Sequence, residues 1–130
     1  MKSLLTVFAL VEVSAGVILA ISPLVLTRSL FGTELEFPTA IIAGRVAGVA
    51  LLSLVIGCWV ARNDARSLAA KGLVAGMLLY NAGIVALLLH AGRVSSLTGV
   101  LLWPAIVVHA ALAAWCIVCV WNNVRNVEAG

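Results

Sequence analysis

The chain has 130 residues, of which 64% are hydrophobic and only 10% are charged. Soluble domains are about 45–50% apolar, and a single core of this size could not bury so much apolar surface. The net charge of +3 comes from basic residues that stand between apolar runs rather than in one patch. The composition therefore excludes a soluble domain, argues against nucleic-acid binding, and predicts a protein embedded in the lipid bilayer.

Four apolar runs are each long enough to cross a bilayer as an α-helix. They are Leu4–Leu26, Thr39–Ala61, Leu73–Ala91 and Leu97–Trp121. At about 1.5 Å per residue, runs of about 19 to 25 residues span a hydrocarbon core of about 30 Å. Helices are predicted because they satisfy all backbone polar groups within the segment. The first run lacks a convincing cleavage site, so we expect it to be retained as a span rather than removed as a signal peptide.

Short connections make consecutive helices antiparallel neighbours, so residues 1–130 are predicted to form one up-down-up-down, four-helix transmembrane bundle. The basic residues divide unequally between the two ends of this bundle. One end carries Lys2, Arg62, Arg66, Lys71 and Arg125, and the other carries Arg28 and Arg93. Because cytoplasmic loops are enriched in Lys and Arg, both termini are predicted to be cytoplasmic.

Small residues recur at four-residue spacing on two spans, which lets helices approach closely in lipid. The second span carries Gly44 and Gly48, and the third carries Gly72, Gly76 and, further on, Gly83. These surfaces fit packing within one bundle, and they also fit the face of a homodimer or of a larger membrane complex. The sequence leaves both interpretations open.

Each predicted helix carries one strongly polar residue inside its apolar run: Glu12, Arg45, Asn81 and His109. Such residues are costly in lipid, usually face the bundle interior and often mark a functional site. We therefore expect a polar pocket that binds the head of a small lipophilic or amphipathic molecule, such as a quinone or a lipid. In this pocket Arg45 would attract an acidic or carbonyl group and repel a cation, while Glu12 and His109 would exchange protons.

Tyr80 stands beside Asn81 in sequence and points about 100° away from it on a helix. Packing is the simpler interpretation of this side chain, and lining the same pocket is the alternative. A purely structural interpretation also exists for the polar residues themselves, with Glu12 and Arg45 neutralising each other and Asn81 bonding to His109.

Three further roles differ in class from ligand binding. One is a small proton-coupled transporter that acts as a dimer, and another is an accessory or assembly subunit of a larger membrane complex. Enzymatic activity is the third, and the sequence favours it least, because no phosphate loop, nucleophile elbow or HExxH motif is present. No catalytic residue is predicted.

The histidines and cysteines indicate no particular cofactor or metal. His90 and His109 differ in depth by about 15 Å along their helices, too far to ligate one haem iron. Cys116 and Cys119 form a CxxC near the depth of Cys58, toward the end predicted to face the reducing cytoplasm. These thiols fit packing in the bundle better than redox chemistry, and a three-cysteine metal site would lack a fourth ligand.

Two resemblances to known families rest on short motifs. The run LVEVSAG (Leu10–Gly16) resembles the first helix of small multidrug resistance transporters, which implies proton exchange at Glu12. The whole chain resembles small bacterial four-helix membrane proteins that are distantly DoxX-like. That resemblance is carried by Glu12, GRVAG (Gly44–Gly48), LLYNAG (Leu78–Gly83) and LLWPAIVVHA (Leu101–Ala110). It implies a four-helix fold and a multi-pass location in the bacterial inner membrane.

Overall fold

The protein is described by a computed structural model that covers residues 1–33 and 37–128, without the side chains of 123–128. The helices are α1 (Lys2–Ile21), α2 (Pro23–Phe31), α3 (Pro38–Ala61), α4 (Leu68–Arg93) and α5 (Leu102–Glu128), with a 3-10 turn at Arg62–Asp64. Within the described ranges, α1, α3, α4 and α5 are long and apolar enough to cross a membrane. The prediction of an all-α, four-helix membrane protein is therefore confirmed.

The first span differs from the single helix predicted over Leu4–Leu26. The helix α1 ends at Ile21, and α2 begins at Pro23, whose missing N–H and fixed φ suit the first position of a helix. Ser22 between them has φ −141° and ψ 73°, outside the helical region. At its other end α2 is closed by Gly32 in the left-handed conformation, with φ 72°. The residues after Ile21 thus form a separate short helix.

The later helices also begin at residues other than the first residue of each apolar run. The helix α3 starts with Pro38. The helix α4 starts at Leu68 rather than Leu73, because the Ser67 hydroxyl caps it by accepting a hydrogen bond from the Ala70 N–H at 3.2 Å. The span predicted from Leu97 starts as a helix at Leu102.

The two ends of the bundle are held by different contacts. At one end Met1, Ala61 and Ala65 pack against the core cluster that contains Leu4, and α1 contacts the 3-10 turn, so the N-terminus lies beside the connection between α3 and α4. This places Lys2, Arg62, Arg66 and Lys71 together, as the up-down-up-down prediction requires; the side chain of Arg125 lies outside the described residues. Which end faces the cytoplasm stays a prediction from the basic residues.

At the opposite end, the connection between α4 and α5 is bonded to the last turn of α2. The N–H groups of Thr98, Gly99 and Leu101 donate to the carbonyls of Phe31, Leu30 and Ser29 at 3.2, 3.1 and 2.9 Å. We call this contact the backbone clasp. A β-carbon on Gly99 would collide with the backbone of Ser29 and Leu30, so glycine is required there.

The spanning helices pack as two pairs, α1 with α3 and α4 with α5, and contact between the pairs is less extensive. In the first pair the backbones nearly touch. A β-carbon placed on Gly48 would lie 2.8 Å from the Gly16 carbonyl oxygen and would meet the Ala20 backbone nitrogen. One placed on Gly44 would lie 2.8 Å from Pro23 Cβ. The glycines of α4 differ, because β-carbons on Gly72, Gly76 and Gly83 would have no neighbour within 4 Å among the described residues.

Candidate functional site

Four polar side chains from three helices meet between the two helix pairs, and we call them the polar cluster. They are Glu12 of α1, Tyr80 and Asn81 of α4, and His109 of α5. Glu12 and Asn81 are buried, with 1% and 0% of their surface exposed, although each lies on a helix rich in apolar residues. The His109 side chain keeps 13% exposure, so the cluster reaches the surface of the bundle there.

One carboxyl oxygen of Glu12 accepts a hydrogen bond, and the other accepts none from the described residues. The Tyr80 hydroxyl donates a hydrogen bond to Oε2 at 3.2 Å. Oε1 is buried and accepts no hydrogen bond from the part of the chain that the structure describes. The His109 Nδ1 atom lies 3.6 Å from it, which is too long for a hydrogen bond. Buried polar atoms are normally paired, so Oε1 is an acceptor that the described chain leaves vacant.

The Asn81 amide joins α4 to α5 and orients the His109 ring. Its Nδ2 donates to the Met77 carbonyl oxygen at 2.7 Å, which leaves its Oδ1 facing His109 Nδ1 at 2.8 Å. Since a carbonyl oxygen only accepts, Nδ1 must carry a hydrogen, in the neutral as in the protonated imidazole. Met77 was not predicted as part of the site. Its position four residues before Asn81 was the available signal, because helical Asn side chains can bond to that carbonyl.

Tyr80 takes part in the polar cluster and also packs as an aromatic residue. Its ring meets the Phe8 ring edge-on at 6.0 Å and the His109 ring edge-on at 5.8 Å. The angle of about 100° between consecutive helical residues explains how Tyr80 and Asn81 both contribute. Tyr80 reaches Glu12 on α1 while Asn81 reaches His109 on α5, so the two residues connect α4 to different neighbours.

Arg45 does not join the polar cluster. It is exposed on α3 and makes no hydrogen bond or ion pair with any described residue. Its neighbour Gly44 and also Gly48 face the first two helices, and Arg45, about 100° around the helix from Gly44, points elsewhere. The Glu12–Arg45 pair of the purely structural interpretation is therefore not formed, and the attraction for an acidic head group that depended on Arg45 is missing from the cluster.

The cysteines lie in the apolar core of the bundle, against which Tyr80 also packs. Cys58 and Cys116 are buried thiols and Cys119 is partly buried. The Cys58 Sγ atom lies 3.6 Å from the Met77 Sδ atom. Among the residues with described positions, no three His, Cys, Asp or Glu side chains converge in a way that could hold a metal ion. His90 is exposed near the end of α4. This arrangement agrees with thiols that pack in the bundle.

Comparison with known proteins finds no matching family model, no similar curated protein and no similar solved structure. The resemblances to small multidrug resistance transporters and to DoxX-like proteins therefore stay predictions from short motifs. The geometry of the polar cluster is therefore the basis for a functional proposal.

Proposed function

We propose that this membrane protein binds the polar head of a small lipophilic or amphipathic molecule at the polar cluster, in a bacterial inner membrane with both termini in the cytoplasm. The observation that carries the proposal is the vacant Oε1 atom of Glu12. An unsatisfied oxygen of a buried carboxyl group is costly, and the cost rises if the group is charged. A bound polar group would remove that cost.

The position of the cluster supports the same proposal. It lies where the α1–α3 pair meets the α4–α5 pair, the less extensive of the contacts between helices. Ligand sites in helical bundles are commonly found between helices, with apolar walls and a few polar groups that orient the ligand. Because the His109 side chain is 13% exposed, a lipophilic molecule would approach from the His109 side, with its head toward Glu12 and its tail along apolar side chains.

Native mass spectrometry of the protein released from a mild detergent tests this proposal. We expect a discrete added mass on the wild-type protein. Glu12→Gln changes the carboxyl group without changing its volume, and His109→Ala removes the ring that borders the open oxygen, so both variants should lose most of that mass. Circular dichroism and thermal unfolding of each variant would verify that the bundle still forms.

Arg45→Gln is the matched control, because Arg45 is a polar residue within a span but lies outside the cluster. It should keep the added mass. The proposal is wrong if wild-type protein carries only exchangeable phospholipid, or if Glu12→Gln and Arg45→Gln retain the same ligand equally.

Proton-coupled transport is a second candidate, and the position of Arg45 favours it. With Arg45 outside the cluster, no described arginine or lysine side chain bonds to Glu12. Reconstituted protein would then take up a cationic dye in response to a pH gradient, and Glu12→Gln would abolish the uptake. An accessory subunit would instead be purified with a larger complex, show no uptake and carry no ligand of its own.

A further inference from the structure

We infer that the ligand presents a hydrogen-bond donor, and that its head is a phenolic or hydroquinone-type hydroxyl rather than a carbonyl or carboxylate. This inference rests on the proposed function and identifies the chemistry that the polar cluster would recognise. The inference rests on the hydrogen-bond donors near Glu12 Oε1 and their acceptors.

The Tyr80 and His109 donors nearest to the Glu12 carboxyl group already have acceptors. The Tyr80 O–H donates to the other oxygen of the same carboxyl group. The Asn81 amide donates to the Met77 carbonyl, and the His109 Nδ1–H donates to Asn81 Oδ1. With the carboxyl group ionised, a ligand that offers only acceptors would add a second unpaired oxygen beside Oε1. A ligand with an O–H group would satisfy Oε1 directly.

The charges and rings beside Oε1 favour a neutral, aromatic head. The Tyr80 hydroxyl oxygen lies 3.2 Å from Oε2, and the His109 Nδ1 atom lies 3.6 Å from Oε1. A cationic head would lie against the His109 N–H, which is itself the positive end of a bond dipole. The rings of Phe8, Tyr80 and His109 meet edge-on, and aromatic surfaces of this kind pack well against a flat ring.

Two probes that differ in a single hydroxyl hydrogen test the inference: 4-dodecylphenol and its methyl ether, 4-dodecylanisole. The chain contains one tyrosine, so biosynthetic 3-fluorotyrosine labelling places the only fluorine-19 resonance at Tyr80. Titration in detergent should shift this resonance saturably with the phenol. The ether should bind at least about tenfold more weakly, as expected for loss of a hydrogen bond to a charged group.

Glu12→Gln keeps the volume of the side chain and replaces the hydrogen-bond acceptor at Oε1 by a donor. The glutamine oxygen can accept from Tyr80, and its NH₂ group then replaces Oε1 as a donor. The preference for the phenol should fall to about equal binding or invert, whereas Arg45→Gln should keep it. The comparison of the two probes on wild-type protein needs no variant, so it stands even if Glu12→Gln does not fold.

Equal binding of both probes to the wild-type protein would overturn the inference and leave ligand binding at the cluster intact. A resonance that moves with neither probe would also overturn it, since water or a different group would then satisfy Oε1. The proposed function would in that case be decided separately, by the mass retained in native mass spectrometry.

Discussion

The glycines of α3 and those of α4 follow the same four-residue spacing and have opposite surroundings. Gly48 faces the backbone of α1 so closely that a β-carbon there would lie 2.8 Å from the Gly16 carbonyl oxygen. β-Carbons on Gly72 and Gly76 of α4 would meet nothing within 4 Å in the part of the chain that the structure describes. The spacing therefore identifies a helix surface that permits close approach. Whether another helix packs against that surface depends on the rest of the bundle.

The difference divides the molecule into two kinds of helix pair. Backbone contact joins α1 to α3 and holds the helix that carries Glu12. A polar contact, Asn81 to His109, joins α4 to α5 and holds the remaining members of the cluster. Apolar packing of Leu88 with Leu102 and Ile106 also joins α4 to α5. The candidate site thus has one side held by backbone contact and one side held by side-chain packing and a hydrogen bond.

The largest effect is expected from Gly48→Ala. Its β-carbon would meet backbone atoms of α1, which cannot rotate away, so the two helices must separate. Overpacking of this kind typically costs about 1–3 kcal/mol of unfolding free energy. SDS-induced unfolding of the purified protein, followed by circular dichroism, would measure the loss. Gly16→Ala is the matched control and should lose less, because its β-carbon would meet the flexible side chain of Leu52 at 2.9 Å. Equal losses would contradict the backbone contact described for Gly48.

An intermediate effect is expected from Asn81→Leu. Leucine has a similar volume but leaves the His109 N–H without its acceptor, which should cost about 1 kcal/mol in the same unfolding assay. The double variant Asn81→Leu/His109→Leu should lose little more than the single one, because the two side chains act through one bond. Additive losses would show that this bond does not hold α4 to α5.

The smallest effect is expected from Gly76→Ala. No neighbour opposes the new methyl group, and alanine favours a helix over glycine by up to about 1 kcal/mol in water, so stability should stay unchanged or rise slightly. Native mass spectrometry should show the same oligomeric state as the wild-type protein. A loss of stability together with a change of oligomeric state would show that a second copy of the chain covers the α4 face.

The four spans and their antiparallel order were predictable because lipid imposes strict demands on length and polarity. The apolar runs identified α1, α3, α4 and α5, and the isolated polar positions identified Glu12, Asn81 and His109 as candidates for one site. The break at Ser22 was less visible, because Pro23 lies within an apolar run that continues past it to Leu26.

The face on which a residue lies was much harder to predict. In a soluble helix the polar side marks the surface, whereas in a membrane helix the lipid side and the packed side are both apolar. Nothing in the sequence around Arg45 or Tyr80 therefore showed that the first would be exposed and the second would bond to Glu12. The glycines of α3 and α4 were indistinguishable for the same reason.

The backbone clasp has a consequence for how the protein is made. Its acceptors, the carbonyls of Ser29, Leu30 and Phe31, are synthesised well before the donors between Thr98 and Leu101. Until the last helical hairpin enters the membrane, these carbonyls at the end of α2 must be satisfied by water or head groups. Formation of the clasp thus waits for the α4–α5 connection, and a chain that stopped after α4 would lack the donors that hold the end of α2.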